Sequence, residues 1–129
     1  MTTIDLECRP THLVLNRHNN LFAYASTDLS LTMRDALTLK IVRKFDHVAD
    51  NQITAVTFSS DSKRLFVAAR DKTLKIYDIL TSGLVDHVAF PHTIRAMAYS
   101  PQTESTFEFL ATSHVSKKGI YLWSVDDLV

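Results

Sequence analysis

The chain repeats itself, and nothing else constrains its fold as much. Residues Leu15 to Asp35 (LNRHNNLFAYASTDLSLTMRD) overlay Phe58 to Asp78 (FSSDSKRLFVAARDKTLKIYD) without a gap. A third, lengthened copy starts at Tyr99 (YSPQTESTFEFLATSHVSKKGIYLWS). Self-similarity at a period of roughly 40–45 residues marks an array built from one supersecondary unit. Such a unit cannot bury both of its faces alone and becomes stable only by stacking on its neighbours.

Each unit resolves into short strand candidates. In the middle unit they are Ile53–Phe58, Arg64–Ala69, Thr73–Tyr77 and Leu84–Ala89, separated by turn-forming runs such as Ser59-Ser60-Asp61-Ser62 and Thr81-Ser82-Gly83. The first unit predicts strands over His12–Asn16, Leu21–Ser26, Leu29–Arg34 and Ile41–Phe45. The third predicts Ile94–Tyr99, Phe107–Thr112 and Gly119–Trp123. Strict alternation would put Ile53, Ala55 and Thr57 on one face and Val56 and Phe58 on the other. Four short strands per unit at this period give an all-β WD-repeat β-propeller. Residues 1–129 read as one propeller segment of about three blades, over 12–45, 53–89 and 94–129, the last one incomplete. A closed ring takes about 4–8 blades, so the expectation is an open segment of a larger ring.

Only two glycines serve all these corners, so Asn, Asp and Ser are expected to make most of the tight turns. Gly83 is expected at positive φ. Fourteen basic residues balance fourteen acidic ones, which leaves no global electrostatic footprint for a phosphate backbone. No apolar run is long enough to span a bilayer, so no membrane partner is expected. The N-terminus does not read as a secretory signal. The single cysteine, Cys8, has no internal partner and fits a reducing compartment.

Asp71, and Asp28 at the equivalent place in the first unit, occupy the turn between second and third strands. In WD repeats an Asp there commonly bonds a His of the preceding inter-blade loop, with a Ser/Thr and a Trp completing the network. His47 is the candidate His, Ala69 stands at the expected Ser/Thr position and Tyr77 at the Trp position. The expected network is a partial, structural one in which His47 pairs with Asp71. An Asp–His pair invites a catalytic reading, but no nucleophile can be placed beside it, so no enzyme activity is expected. The histidines His12, His18, His47, His87, His92 and His114 are scattered without metal-ligand spacing, although His87 and His92 flank one short loop. No metal, cofactor or small-molecule substrate is expected. Arg70, Lys72 and Lys75 lie near one hairpin, Lys63 and Arg64 close by in sequence, and Lys117 and Lys118 at the corresponding turn of the third unit. Rotation from blade to blade would gather these into a modest basic rim, with solvated turns as the simpler alternative.

Phe109-Leu110-Ala111-Thr112-Ser113-His114-Val115, followed by Gly119-Ile120-Tyr121-Leu122-Trp123-Ser124, is more specific than a generic blade. Together with Lys40 to Phe45, Asn51 to Thr54, Ser82 to Asp86 and Leu15 to Asp28, it closely resembles the family of the WD-repeat protein 21 associated with the U3 small nucleolar RNA. Order and spacing are kept from about His12 onward. The resemblance implies a late part of the second of two tandem propellers. It also implies a place in the UTP-B subcomplex of the small-subunit processome, which matures 18S ribosomal RNA in the nucleolus. The partners it implies are other WD-repeat subunits of UTP-B and the U3 ribonucleoprotein, with RNA contact made mainly through neighbours. It carries over no catalytic residues. The resulting expectation is a non-enzymatic scaffold for ribosome biogenesis; the alternative is a generic WD-repeat adaptor in another complex.

Overall fold

Eleven strands and no helix make up the computed structural model of the chain, which describes residues 1–16, 19–100 and 108–124. The strands form three antiparallel sheets. β1 (Pro10–Leu15), β2 (Leu21–Ser26), β3 (Leu31–Asp35) and β4 (Ile41–Phe45) make the first blade in sequential order. β5 (Ile53–Phe58), β6 (Arg64–Ala69), β7 (Thr73–Asp78) and β8 (Leu84–Ala89) make the second. β9 (Ile94–Tyr99), β10 (Phe109–His114) and β11 (Ile120–Ser124) make three strands of a third. The innermost strands meet, β5 packing against β1 on one side and β9 on the other. The result is an open arc of three blades.

The middle blade shows why one unit cannot stand alone. Along β6, Leu65, Val67 and Ala69 enter a core shared with Ala23, Leu31, Met33 and Phe45 of the first blade. Phe66 and Ala68, the residues between them, enter a second core with Ile94, Tyr99 and Leu110 of the third. Both faces of β6 are therefore lined by side chains no more than 2% exposed. Full burial of each larger one is worth about 1.5–3 kcal/mol. The outward faces of the end blades are different: Leu13 and Leu15 at one end and Ile120 and Leu122 at the other are each more than 60% exposed.

A bulge recurs where the first strand of each blade pairs with the second: between Pro10 and His12, between Ile53 and Ala55, and opposite Ser113/His114. It overturns simple alternation in β5. Ile53 joins the core toward the first blade together with Phe58 and Val56, while Ala55 faces the third. The extra residue flips the strand by one position, a property of the pairing that periodicity within β5 cannot reveal.

The corners are left-handed without glycine. Leu29 (φ 66°), Lys72 (68°) and Ser116 (65°) take equivalent places between the second and third strands of the three blades. Leu39 (64°) and Ser82 (61°) do so between third and fourth strands, and Ser62 (63°) between the first two of the middle blade. Gly83 is not at positive φ; Ser82, one residue earlier, takes the corner. Likewise β3 begins at Leu31 rather than Leu29, because Leu29 is the corner residue itself.

Polar bridges tie blade to blade. Ser62 Oγ donates to Asn16 Oδ1 (2.6 Å), and Arg43 Nη2 donates to the Leu80 carbonyl (2.9 Å). Glu108 accepts from Ser60 Oγ of the second blade and from the Tyr99 hydroxyl of the third, both at 2.7 Å. Burial, then the Glu108 hydrogen bond and charge, hold the Tyr99 phenol well above its ordinary value.

Candidate functional site

Antiparallel order within each blade sends the turns to two ends. Turns between second and third strands emerge at one end, beside the inter-blade loops; the other turns emerge at the opposite end. Asp28 and Asp71 stand at the first of these ends and close their own turns. Asp28 Oδ1 accepts from the Ser30 amide (3.1 Å) and hydroxyl (2.6 Å); Asp71 Oδ1 accepts from the Thr73 amide (3.1 Å) and hydroxyl (2.5 Å). These are Asx-turns, in which the side chain replaces a backbone acceptor two residues before the donor. The Ser30 hydrogen bonds, side chain first, lower the Asp28 carboxyl below its ordinary value.

The expected His47–Asp71 pair does not form. His47 sits at a left-handed corner of the loop between β4 and β5 (φ 50°), its side chain largely exposed, and its Nε2 lies 2.9 Å from Asp50 Oδ1. Asp50 also lies 3.7 Å from Lys75 Nζ, and the His47 hydrogen bond followed by the Lys75 charge depresses its carboxyl. Asp71 is already occupied by Thr73. The loop is fastened instead by Tyr77, whose hydroxyl donates to the Val48 carbonyl at 2.8 Å.

A fuller network lies in the third blade. Trp123 Nε1–H donates to Thr112 Oγ1 (2.9 Å), Thr112 Oγ1 lies 2.8 Å from His114 Nε2, and His114 Nδ1 lies 2.8 Å from the His92 carbonyl. One proton arrangement satisfies every member: Thr112 O–H donates to Nε2, and Nδ1–H donates to the carbonyl. The relay therefore ties β11 through β10 to the loop that enters the third blade. Pairing of Leu110 with Trp123 and of Leu65 with Tyr77 fixes the correspondence between blades. By that register Val67, not Ala69, is the counterpart of Thr112, so the middle blade has no hydroxyl at that place and holds its loop with an aromatic strut alone. The sequence carries the signal as Thr112, His114 and Trp123 within residues 109–124.

Hydroxyl, imidazole and carbonyl in a row resemble a nucleophile and its base, but Thr112 is 1% exposed and its oxygen already accepts from Trp123. Buried and bonded on both sides, the hydroxyl works here as a structural link between β11, β10 and the loop before β9.

The basic residues do not make one rim. Arg70 and Lys72 of the second blade and Lys117 and Lys118 of the third share the end that carries the inter-blade loops, whereas Lys63 and Arg64 lie at the opposite end. Lys75 lies on β7 with its side chain mostly buried against Asp50. Among the described residues no group of three or more His, Cys, Asp or Glu side chains could hold a metal ion. His18 lies outside the described residues. No helix of the described residues is long and apolar enough to cross a membrane.

Comparison with known proteins follows the same lines. Residues 39–78 match the family described as WD domain, G-beta repeat. The fold matches the β-propeller domain of Cps50 (Swd1) from Myceliophteria thermophila with a TM-score of 0.69, covering 96% of this chain and 41% of that one at 16% identity. Stacked antiparallel blades with this repeat make the chain part of a WD-repeat β-propeller. Its sequence is 33% identical over 122 residues to U3 small nucleolar RNA-associated protein 21 of Saccharomyces cerevisiae, covering 94% of this chain and 12% of that protein. It is 34% identical over 122 residues to WD repeat-containing protein 36 of Homo sapiens (95% of this chain, 13% of that protein). The Schizosaccharomyces pombe homolog of protein 21 is 31% identical over 123 residues (95% and 13%). The chain belongs to the U3 small nucleolar RNA-associated protein 21 family and spans about one-eighth of these relatives' length.

Proposed function

We propose that the chain is a non-enzymatic scaffold segment in ribosome small-subunit biogenesis, working in the small-subunit processome that matures 18S ribosomal RNA. The observation that carries this reading is the match over 94–95% of the chain to proteins, two of which are named for association with the U3 small nucleolar RNA. The geometry is compatible with a scaffold. Rigid blades with both faces of the middle unit packed hold turns and inter-blade loops in fixed positions, so a partner meets a pre-ordered surface. The partners on this reading are other WD-repeat subunits of UTP-B and the U3 ribonucleoprotein, in the nucleolus.

The experiment is to tag the endogenous protein, purify it from nuclear extract and sequence the RNA that accompanies it. Enrichment of U3 RNA and 18S precursor is the expected result. Recovery of a stable protein complex lacking both would replace this reading with that of a WD-repeat adaptor serving another assembly.

A further inference from the structure

Charge is sorted around one end of the arc, although the chain as a whole is neutral. At the end that carries the inter-blade loops, turn 27–30 and loop 46–52 hold Asp28, Asp46 and Asp50 and no lysine or arginine. Farther round, turns 70–73 and 115–119 hold Arg70, Lys72, Lys117 and Lys118 against a single carboxylate, Asp71, and loop 90–93 holds no acid. Asp71 is curled back onto Thr73. The middle blade shows how such a turn stands when every neighbour is in place. On one side the Arg70 amide donates to the Gln52 carbonyl (2.8 Å). On the other, the Phe90 amide donates to the Lys72 carbonyl (2.8 Å) and the Thr93 hydroxyl to the Arg70 carbonyl (3.2 Å). All three bonds take up backbone groups of the turn, and Arg70 and Lys72 stay exposed. Turn 115–119 is the same place in the next blade, joined to loop 90–93 by the Val115 amide on the Thr93 carbonyl (2.9 Å). Its two lysines continue the line of positive charge.

We infer that Arg70, Lys72, Lys117 and Lys118 hold the phosphate backbone of an RNA strand against the second and third blades, while Asp28, Asp46 and Asp50 keep it off the first. Phe90, the only large apolar side chain of 70–73 and 90–93, is buried, so these segments offer no anchor pocket of the kind that dominates peptide recognition. What they offer is charge on long, mobile stems. Phosphates need nothing more, because backbone contacts position a strand without reading its bases. The choice of RNA among polyanions rests on the ribosome-biogenesis reading above. That reading needs no RNA contact from this chain, so each can fail while the other stands.

The test uses the tagged protein purified from nuclear extract, freed of its RNA by nuclease and high salt, and given a short fluorescent oligouridylate. Ultraviolet cross-links mapped by mass spectrometry are expected in 70–73 and 115–119 and not in 27–30 or 46–52. Arg70→Ala with Lys72→Ala should weaken binding about tenfold at low salt. It should also lower the slope of log affinity on log salt by about 1.4, at about 0.7 per phosphate contact on a single strand. Arg70→Lys with Lys72→Arg, which keeps both charges, should stay within about threefold. Lys63→Ala with Arg64→Ala at the opposite end should change neither affinity nor slope. Cross-links absent from both turns, or parental affinity and slope in Arg70→Ala with Lys72→Ala, would overturn the inference. So would a loss of oligoglutamate binding in that variant with oligouridylate binding unchanged, which would make the surface a site for an acidic protein segment. A protein that binds oligouridylate through these turns but brings neither U3 RNA nor 18S precursor from the extract would overturn the processome reading and leave this one standing.

Discussion

Thr112→Val tests the third-blade relay. Valine copies the shape of threonine, so no cavity opens and the change isolates the hydroxyl. Two hydrogen bonds vanish, at 2.9 Å from Trp123 and 2.8 Å to His114. The hydrogen bond from the half-buried Trp123 is only part-buried, so its loss is the smaller one. His114 is buried, and its Nε2 is left without a donor. Leaving a buried acceptor unmet costs about 1–3 kcal/mol, and the net cost here is about 2 kcal/mol. That corresponds to about a 30-fold increase in local opening. Amide hydrogen exchange is the assay, because a repeat array opens unit by unit and the loss should stay local. β10 and β11 should exchange about 30-fold faster, while β2 and β3 of the first blade stay unchanged. Trp123→Phe in the same background should add little, giving a coupling of about 1 kcal/mol between the two sites. Exchange in β10 within about threefold of the parent, or equal acceleration in the first blade, would refute the relay.

Other expectations follow from the same geometry. Lys72→Gly, at an exposed corner with φ 68°, should stabilise the second blade by up to about 1 kcal/mol in urea unfolding, since a side chain in that region costs about 1–2 kcal/mol. Tyr77→Phe should destabilise by about 1 kcal/mol by releasing the Val48 carbonyl, and His47→Ala should stay within about 0.5 kcal/mol in the same measurement, because its contact with Asp50 is exposed. Asp28 is held below its ordinary value by its Ser30 bonds. Asp61 is too: burial pushes it up, but the Ser59 and Lys63 hydrogen bonds outweigh burial. Their contribution should be complete above about pH 4 and lost as pH falls further, whereas the raised Tyr99 phenol makes stability fall as pH climbs past about 10. Thermal melts across that range check both limbs, and a flat profile below pH 4 would contradict the acid one.

Strand positions were legible because each strand carries its own apolar pattern and is bounded by polar turn residues. β2, β4, β5, β6, β8 and β9 run between the limits the sequence predicts, and β7 extends one residue past its expected end. β10 begins at Phe109 rather than Phe107, which lies outside the described residues. What escaped depends on neighbours. Ile53 and Ala55 part company because of a bulge visible only when β5 is paired with β6. Gly83 looked like the corner because glycine tolerates positive φ, yet the turn spends that conformation on Ser82. His47 and Asp71 looked like partners because both roles exist in the repeat, but Thr73 stands nearer to Asp71 and Asp50 nearer to His47. The relay needed a register between blades before Thr112 could be matched to Val67.

The segment that matches the WD repeat, residues 39–78, does not coincide with a blade. It takes in β4, the outermost strand of the first sheet, and then the three inner strands of the second. Sequence unit and structural unit are staggered like overlapping courses of brick. A duplication or deletion cut at the repeat boundary therefore never removes one intact blade; it trades the outer strand of one sheet against the inner strands of the next. Length can change by whole repeats while each remaining seam still finds a strand of the right kind, but a break at any seam loosens two sheets at once.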